Sequence, residues 1–312
     1  MDSIIKVEGL EKSYKKTKAV QGITFDVKQG EILCLLGPNG AGKSTAINIL
    51  ITALKGDKGK IYFKGEELGK DTRNYRASLG VVPQELALYE ELSAEKNVAF
   101  FAALYGVGRK ERNARVDGAL KFVGLLDKKK DKAKTFSGGM KRRLNIACAI
   151  AHNPGIIILD EPTVGIDPQS RNHILNSIKE LRDKGATVVY TTHYMEEVEE
   201  ISTRIIIMDH GKIIAEGTKE SLKERLAEEK QYLIEVDEAD KLEKDELYKI
   251  AGVKNVDIEG NRIRMSVIKG IDNLDKIISM LIGRKLKINN VTNEEASLET
   301  VFLKLTGRTL RN

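Results

Sequence analysis

One nine-residue segment limits the possible folds of this chain more than any other feature. Residues 37–45 read GPNGAGKST and fit the pattern G-x4-G-K-[ST]. The segment follows the apolar run 31–37 and opens a stretch with helical character, residues 42–54. Glycines at such a place let backbone N–H groups point at one ligand, and the helix N-terminus adds positive potential. A phosphate-binding loop in an α/β core is therefore predicted; a simple Gly-rich turn is the alternative.

The side chains of this loop have distinct expected tasks. Lys43 is expected to reach the β- and γ-phosphates of a nucleotide, and Ser44 to offer its hydroxyl to Mg²⁺. The candidate nucleotide-binding residues of the loop are Gly37, Asn39, Gly40, Gly42, Lys43, Ser44 and Thr45.

Two adjacent carboxylates follow a second apolar run. Residues 156–159 lead into Asp160 and Glu161, at the carboxyl end of a predicted strand, where open α/β sheets bind ligands. Asp160 is placed to bind Mg²⁺ directly or through water, and Glu161 to orient and deprotonate an attacking water. Alone, such a pair is more typical of an acidic turn. The phosphate loop 117 residues upstream of Asp160, counted from Lys43, favours a catalytic pair.

Two further polar side chains follow strand-like runs. Gln84 comes after LGVVP, and His193 comes after TVVYTT. An amide at a strand end can bind Mg²⁺ or the attacking water, and an imidazole can donate to the γ-phosphate. A lone Gln or His is more often an ordinary surface residue, so both candidates depend on the order of all the motifs.

The pattern along the chain predicts two domains. Residues 1–229 alternate strands and helices around an all-helical insert, which indicates an α/β core with a helical subdomain over about 85–153. Residues 230–312 read as βαββαβα, with a Gly260-Asn261 hairpin turn, and predict a small α+β domain.

The formal net charge of +6 is concentrated in one place. Between Asp127 and Arg143 eight Lys or Arg residues stand against two Asp, so this segment accounts for the whole excess. A basic arm for a polyanion, a local field for a phosphate ligand and a solvated surface are the possible interpretations. Only Phe136 offers an aromatic ring among these lysines, and the segment 230–312 is nearly balanced in charge, so no nucleic-acid partner is expected.

Composition indicates a protein of the cytoplasm. No run of about 18 apolar residues occurs, and the N-terminus lacks the basic start and apolar stretch of a signal peptide. The two cysteines, Cys34 and Cys148, lie far apart among aliphatic residues and are expected to be buried and reduced rather than to form a disulfide or a metal site.

The order of these motifs resembles that of ABC ATPases. The resemblance runs from residue 4 to about residue 225 and is carried by Tyr14, GPNGAGKST at 37–45, Gln84, SGG at 137–139, LDEP at 159–162, Asp167 and His193. It implies a P-loop NTPase core of ABC type with an antiparallel β subdomain and a helical subdomain. It also implies ATP hydrolysis with Mg²⁺ and a head-to-tail homodimer that buries two ATP molecules.

Several site residues come from this resemblance. Tyr14 is expected to stack on adenine, and Ser137, Gly138 and Gly139 to contact the ATP of the partner copy from a helix N-terminus. Asp167 is expected to bridge the dimer. The chain departs from the commonest family signature, because Phe136 and Met140 flank the SGG segment where Leu and Gln are usual.

A narrower resemblance links the chain to the ATPase subunits of type-2 ABC exporters. It is carried by FSGGM at 136–140, by YMEEVEE after His193 and by the late segment SLETVFLKLTG. It implies a separate membrane permease that docks at about 84–105, where residues 86–92 offer apolar side chains among acids. The chain is then expected to be peripheral on the inner face of the cell membrane.

The sequence leaves two alternatives open. The first is an importer ATPase, and only the signature and the tail favour an exporter over it. The second is a soluble ABC ATPase that acts on DNA or ribosomes, but such proteins usually have a long coiled coil, a second cassette or zinc-binding cysteines. The role of residues 230–312 is also open between dimer stabilisation, regulation, permease contact and simple packing. The apolar residues of its last predicted helix lie at helical spacing: Leu298, Val301, Phe302 and Leu305.

Overall fold

A computed structural model describes residues 2–226, 229–239, 242–294 and 298–306. Contacts divide the chain after Lys219 into two compact units. This division lies ten residues before the 229/230 boundary that the change in composition indicates, because all but the first residue of the helix at 219–226 is grouped with the second unit.

The first unit is an α/β structure. Its strands are β1 (Ser3–Tyr14), β2 (Thr17–Lys28), β3 (Ile32–Leu36), β4 (Lys58–Phe63), β5 (Glu66–Glu67), β6 (Leu79–Val82), β7 (Ile156–Asp160), β8 (Thr187–Thr192), β9 (Arg204–Asp209) and β10 (Lys212–Gly217). Its helices are α1 (Lys43–Leu50), α2 (Arg73–Ala77), α3 (Ala94–Leu104), α4 (Arg109–Phe122), α5 (Gly138–Ile150), α6 (Pro168–Asp183) and α7 (Met195–Ile201).

A six-stranded sheet in the order β10-β9-β3-β8-β7-β6 forms the centre of this unit. All neighbouring strands are parallel except β10, which pairs antiparallel with β9 at one edge. Every residue of β3, β7, β8 and β9 is buried, as expected for strands covered on both faces. The carboxyl ends of β3, β6, β7 and β8 therefore meet at one edge, where the sequence places its polar candidates.

The antiparallel β subdomain is present as a four-stranded sheet in the order β2-β1-β4-β5. Alternate side chains of β1 and β2, such as Ile5, Val7 and Val27, are buried in the cluster that also contains Ile47 and Leu50 of α1. This packing attaches the subdomain to the helix that follows the phosphate loop.

Helix α1 ends earlier than the sequence pattern indicates. The prediction of a helix to about residue 54 was wrong, because the chain turns at Thr52, whose φ is +60°. The N–H groups of Ala53 and Leu54 both donate to the Asn48 carbonyl, at 2.9 Å each, and this satisfies the end of the helix.

The predicted helical insert is present as α3, α4 and α5. Ser137 caps α5, since its Oγ accepts from the Met140 N–H at 3.3 Å. None of the helices in the described ranges has both the length and the apolar character needed to cross a membrane. Cys34 and Cys148 are buried free thiols, and burial raises the pKa of both.

From its first strand onward, the second unit has the predicted order βαββαβα, and most of one further helix precedes that strand. It contains α8 (Lys219–Leu226), β11 (Glu229–Val236), α9 (Lys244–Tyr248), β12 (Val253–Glu259), β13 (Arg262–Ile268), α10 (Leu274–Gly283), β14 (Ile288–Glu294) and α11 (Leu298–Thr306). The sheet is antiparallel in the order β12-β13-β11-β14. Glu259 pairs with Arg262 across the Gly260-Asn261 turn, which confirms the hairpin. In α11, Leu298, Val301 and Phe302 are buried, and Leu305 is half-buried.

Candidate ATP site

Four neighbouring strands bring the main candidates to one edge of the central sheet. Gly37 follows β3, Glu161 follows β7 and His193 follows β8, while Gln84 lies two residues after β6. Because these strands are parallel neighbours, residues from widely separated parts of the sequence meet there.

Two positions of the phosphate loop require glycine, because backbone atoms of other segments lie too close for a side chain. A Cβ on Gly37 would lie 2.3 Å from the Met208 carbonyl oxygen, and a Cβ on Gly42 would lie 2.3 Å from that of Ala19. Gly42 also has a φ of +101°, which side chains rarely adopt. The loop is closed by a bond of 3.1 Å from the Ala41 N–H to the Pro38 carbonyl. The backbone thus forms a cradle that a side chain at either glycine would disrupt.

Lys43 lies inside this cradle and is only 4% exposed. Its Nζ donates to the carbonyl oxygens of Gly37 at 2.8 Å and Pro38 at 3.2 Å. The same Nζ lies 3.2 Å from Glu161 Oε1, forming a buried ion pair. The loop therefore holds a fixed positive charge beside the carboxylate that the sequence assigns to water activation.

An oxygen pair suited to a cation lies next to the cradle. Ser44 Oγ donates to Asp160 Oδ1 at 3.2 Å, and Thr191 Oγ1 donates to the same oxygen at 2.5 Å. Hydroxyl and carboxylate oxygens are the ligands that Mg²⁺ prefers. Gln84 is not joined to this pair: its side chain is exposed, and no bond to Ser44 or Asp160 is found within the described residues.

Glu161 is held by an unusual backbone conformation. Its φ is +45°, and its N–H donates to both the carbonyl and the Oγ1 of Thr191, at 3.2 and 2.9 Å. The side chain is buried, and its Oε1 lies 3.4 Å from His193 Nδ1 without the alignment of a hydrogen bond. A strained non-glycine residue of this kind is typical of catalytic positions. Lys43, Glu161 and His193 form one cluster.

Two family models match different parts of this chain. The family model described as ABC transporter matches residues 20–164, and that described as ATP-binding protein DrrA1-3-like, C-terminal domain, matches residues 217–306. The linearmycin resistance ATP-binding protein LnrL of Bacillus subtilis (strain 168) is 41% identical over 99% of this chain and 100% of its own length. The daunorubicin resistance ATP-binding protein DrrA3 of Streptomyces coeruleorubidus is 34% identical over 98% and 96%, respectively.

This chain belongs to the ATP-binding subunits of ABC transporters. Its matches place it in the branch of resistance and export ATPases, whose members hydrolyse ATP to power transport. A solved dimeric ATP-binding cassette in a post-hydrolysis state, bound to ADP and Pi, is similar in fold, with a TM-score of 0.63 at 30% identity. The similarity covers 69% of this chain and 98% of that one.

The signature segment of this ABC subunit forms a separate patch. Ser137 and Gly138 are exposed at the start of α5, while a Cβ on Gly139 would lie 2.1 Å from Ser170 Oγ. Asp167 caps α6 by accepting from the Ser170 N–H at 2.9 Å. This bond, together with one from the Ser170 side chain, lowers the pKa of Asp167. Tyr14 is half exposed near the end of β1. No bond between these residues and the phosphate loop is found in the described part of the chain.

The basic run of the ABC subunit is engaged with its own chain. Lys132 and Lys134 pair with Glu91, and Lys141 pairs with Glu90. Further members bind elsewhere: Lys129 pairs with Asp117, and Arg143 donates to the Val123 carbonyl. These members of the run therefore make contacts within their own chain.

Sequence reasoning missed four residues that position the site. Thr191 binds both Asp160 and the Glu161 backbone, and its place before His193 in YTTH is the only sequence signal. Arg142 donates to the carbonyls of Pro83 and Gln84, at 2.9 and 2.7 Å. The other two are Asn97, which accepts from the Tyr89 N–H, and Glu197, which accepts from the Tyr190 hydroxyl.

Proposed function

We propose that this subunit drives export of an antibiotic-like compound through a separate permease, with Lys43, Glu161 and His193 as its hydrolytic centre. The observation that carries the proposal is the buried cluster of these three side chains beside the Ser44–Asp160 pair. The resistance proteins to which the chain is similar support an antibiotic-like substrate and favour export over import.

Each residue of the centre has a proposed task. Lys43 binds the β- and γ-phosphates, and the first-turn N–H groups of α1 add donors that lack intrahelical acceptors. Ser44 and Asp160 would hold Mg²⁺, which would supply positive charge beside the phosphate oxygens. Glu161 orients the attacking water and accepts its proton, and His193 donates to the γ-phosphate. Gln84, whose side chain is exposed near the end of β6, would be a further ligand of the metal.

We further propose that two copies share the two ATP sites. The signature residues Ser137 and Gly138 are exposed at a helix N-terminus, a place suited to an anionic ligand. They make no bond to the phosphate loop of their own chain among the described residues, so a second copy is the source of the phosphate they would bind. The dimeric state of the similar cassette supports this arrangement.

The proposed permease contact lies on the segment 84–105. Leu86, Tyr89, Phe100 and Leu104 are exposed there, and the rings of Tyr89 and Phe100 meet edge to face at 4.9 Å. Buried Asn97 fixes the segment, because it accepts from the Tyr89 N–H at 2.8 Å and donates to the Tyr89 carbonyl at 3.0 Å. An apolar patch on a fixed support suits a docking helix of a permease, which would hold the subunit on the inner face of the membrane.

The substitution Glu161→Gln tests the proposed centre. It removes the proton acceptor but keeps the size of the side chain, so ATP hydrolysis should be lost while ATP binding remains. The ATP complex should then accumulate as a dimer in gel filtration. Glu180→Gln, at an exposed position of α6, is the matched control and should hydrolyse ATP normally. A monomeric ATP complex of Glu161→Gln would contradict the shared site, and normal turnover would contradict the role of Glu161.

A further inference from the structure

A buried carboxylate lies beneath the loop that carries His193. Glu197 belongs to the first turn of α7 and is only 1% exposed. Its Oε2 accepts from Tyr190 Oη at 2.9 Å and from Thr192 Oγ1 at 2.7 Å. Both donors come from the end of β8, on the face opposite to Thr191. One oxygen thus collects two hydrogen bonds next to the catalytic cluster.

We propose that Glu197 is a positioning residue that keeps the loops of Glu161 and His193 aligned. Its first connection runs through Tyr190, whose hydroxyl lies 3.3 Å from Thr163 Oγ1, two residues after Glu161. Its second connection runs through Thr192, whose Oγ1 accepts from the Tyr194 N–H at 3.0 Å, one residue after His193. The carboxylate therefore joins the two loops whose side chains meet at Glu161 and His193.

The donors are suited to this role. Burial, and then the nearby carboxylate of Glu197, raise the pKa of Tyr190 well above its usual range, so the phenol stays protonated and donates. Thr192 is also buried, and its hydroxyl gives one bond and receives another. The two bonds to Glu197 are buried and therefore keep the strength of buried hydrogen bonds, whereas the bond from the Tyr194 N–H is partly buried.

A purely structural role accounts poorly for this carboxylate. An acid in the first turn of a helix interacts favourably with the helix dipole, and the exposed Glu196 already provides such a charge in α7. Burying Glu197 is costly, and its Oε1 has no hydrogen-bond partner within the described residues. An apolar side chain would fill the same space at lower cost. The presence of a carboxylate is therefore explained by the two hydrogen bonds that fix the loops.

The test compares three variants of the full chain by ATP turnover. Glu197→Met keeps the volume and removes the acceptor, so kcat should fall about 10- to 100-fold, as expected for a small misplacement of catalytic groups. KM for ATP should stay within about threefold, because the phosphate loop is untouched. Glu197→Gln retains an acceptor oxygen and should recover most of the loss. Glu200→Met, on the exposed face of the same helix, should behave as wild type.

Thr192→Val provides a second readout if Glu197→Met does not fold. It removes the bond to Tyr194 N–H at nearly constant shape and should also lower kcat with little change in KM. The proposal is overturned if the folded variants keep wild-type kcat, if kcat and ATP affinity fall together, or if Glu197→Gln loses as much as Glu197→Met. This inference rests on the proposed hydrolytic centre. Failure of that centre is distinguishable, because Glu161→Gln would then also turn over ATP.

Discussion

The catalytic edge and the docking–signature region both contain many charges but hold them in different ways. The catalytic edge comprises Lys43, Asp160, Glu161, Thr191 and His193, and the docking–signature region comprises residues 84–105 and 129–142. At the catalytic edge, Lys43 and Glu161 are 4% and 5% exposed and are bonded to strand ends. In the docking–signature region, the Glu91 side chain that binds two lysines is 71% exposed.

This difference separates fixed chemistry from adjustable contacts. A buried charge that loses its partner is strongly unfavourable, so the groups at the catalytic edge remain in one arrangement. Exposed ion pairs contribute little and are screened by salt, so the pairs of Glu90 and Glu91 can exchange partners at low cost. Such exchangeable contacts suit a region that is proposed to bind a permease and to adjust to its movement. Arg142 is an exception, since it is buried and joins α5 to the backbone of Gln84.

Of the three substitutions that probe this comparison, Lys43→Ala at the catalytic edge should have the largest effect. It removes the cation that would hold the phosphates and leaves the Glu161 carboxylate without its nearest positive partner. Turnover should fall by about 10²-fold or more, as on loss of a preorganised charge-stabilising donor. Steady-state ATP hydrolysis measures the effect.

Lys55→Ala is the control for this substitution. Lys55 is an exposed lysine shortly after α1, and its removal should leave turnover at the wild-type level. Normal turnover of Lys43→Ala would show that the buried charge is not part of the chemistry, and the contrast between the two regions would then lose its basis.

Local patterns explain why much of this site could be predicted from sequence. The spacing of Gly37, Gly42 and Lys43, the acids after β7 and the order βαββαβα all depend on neighbours in the chain or on strand periodicity. Such signals need no knowledge of tertiary contacts. The ends of elements are harder to predict. The chain turns after α1 at Thr52, which has a positive φ that a threonine rarely adopts.

The missed residues act across long sequence separations. Thr191 binds Asp160 from 31 residues away, and Arg142 binds the Gln84 carbonyl from 58 residues away. A threonine or an arginine has many ordinary uses, so its residue type alone indicates no partner. The basic run shows the same limit, because its partners Glu90 and Glu91 lie some forty to fifty residues earlier. These contacts become visible only in the folded chain.

A smaller effect is expected from Arg142→Met. It breaks two bonds between α5 and the loop of Gln84, and water can replace them only in part because Arg142 is buried. The free energy of unfolding should fall by about 1 to 2 kcal/mol, and stimulation of ATP hydrolysis by the permease should weaken. Thermal unfolding and turnover with and without the permease measure the two effects.

Two neighbouring substitutions sharpen this result. Arg142→Lys keeps the charge but loses the planar fork that serves two carbonyls, so it should restore only part of the coupling. Arg143→Met removes a guanidinium that binds Val123 instead of the Gln84 loop, and permease stimulation should survive. Equal stimulation in Arg142→Met and wild type would show that the region is held by its exposed pairs alone.

The smallest effect is expected from Glu91→Gln in the docking–signature region. Hydrogen bonding from Lys134, with a further contribution from Lys132, lowers the pKa of Glu91 below its ordinary value of 4.5. A carboxylate with a lowered pKa stabilises the fold above its unfolded pKa, and the contribution disappears as the pH falls through the folded value. The wild type should therefore unfold at a slightly higher temperature than Glu91→Gln at neutral pH.

That small difference should vanish in two independent ways. It should decline once the pH falls below 4.5, as Glu91 becomes protonated, and it should also shrink in salt of about 1 M, where the Debye length is about 3 Å. Thermal unfolding of both proteins across pH and salt measures it. A difference that grows on acidification would contradict the stabilising role of the Glu91 carboxylate. A difference that salt leaves unchanged would mean that Glu91 is held as firmly as Glu161. The docking–signature region would then be as rigid as the catalytic edge, and the contrast between the two regions would not hold.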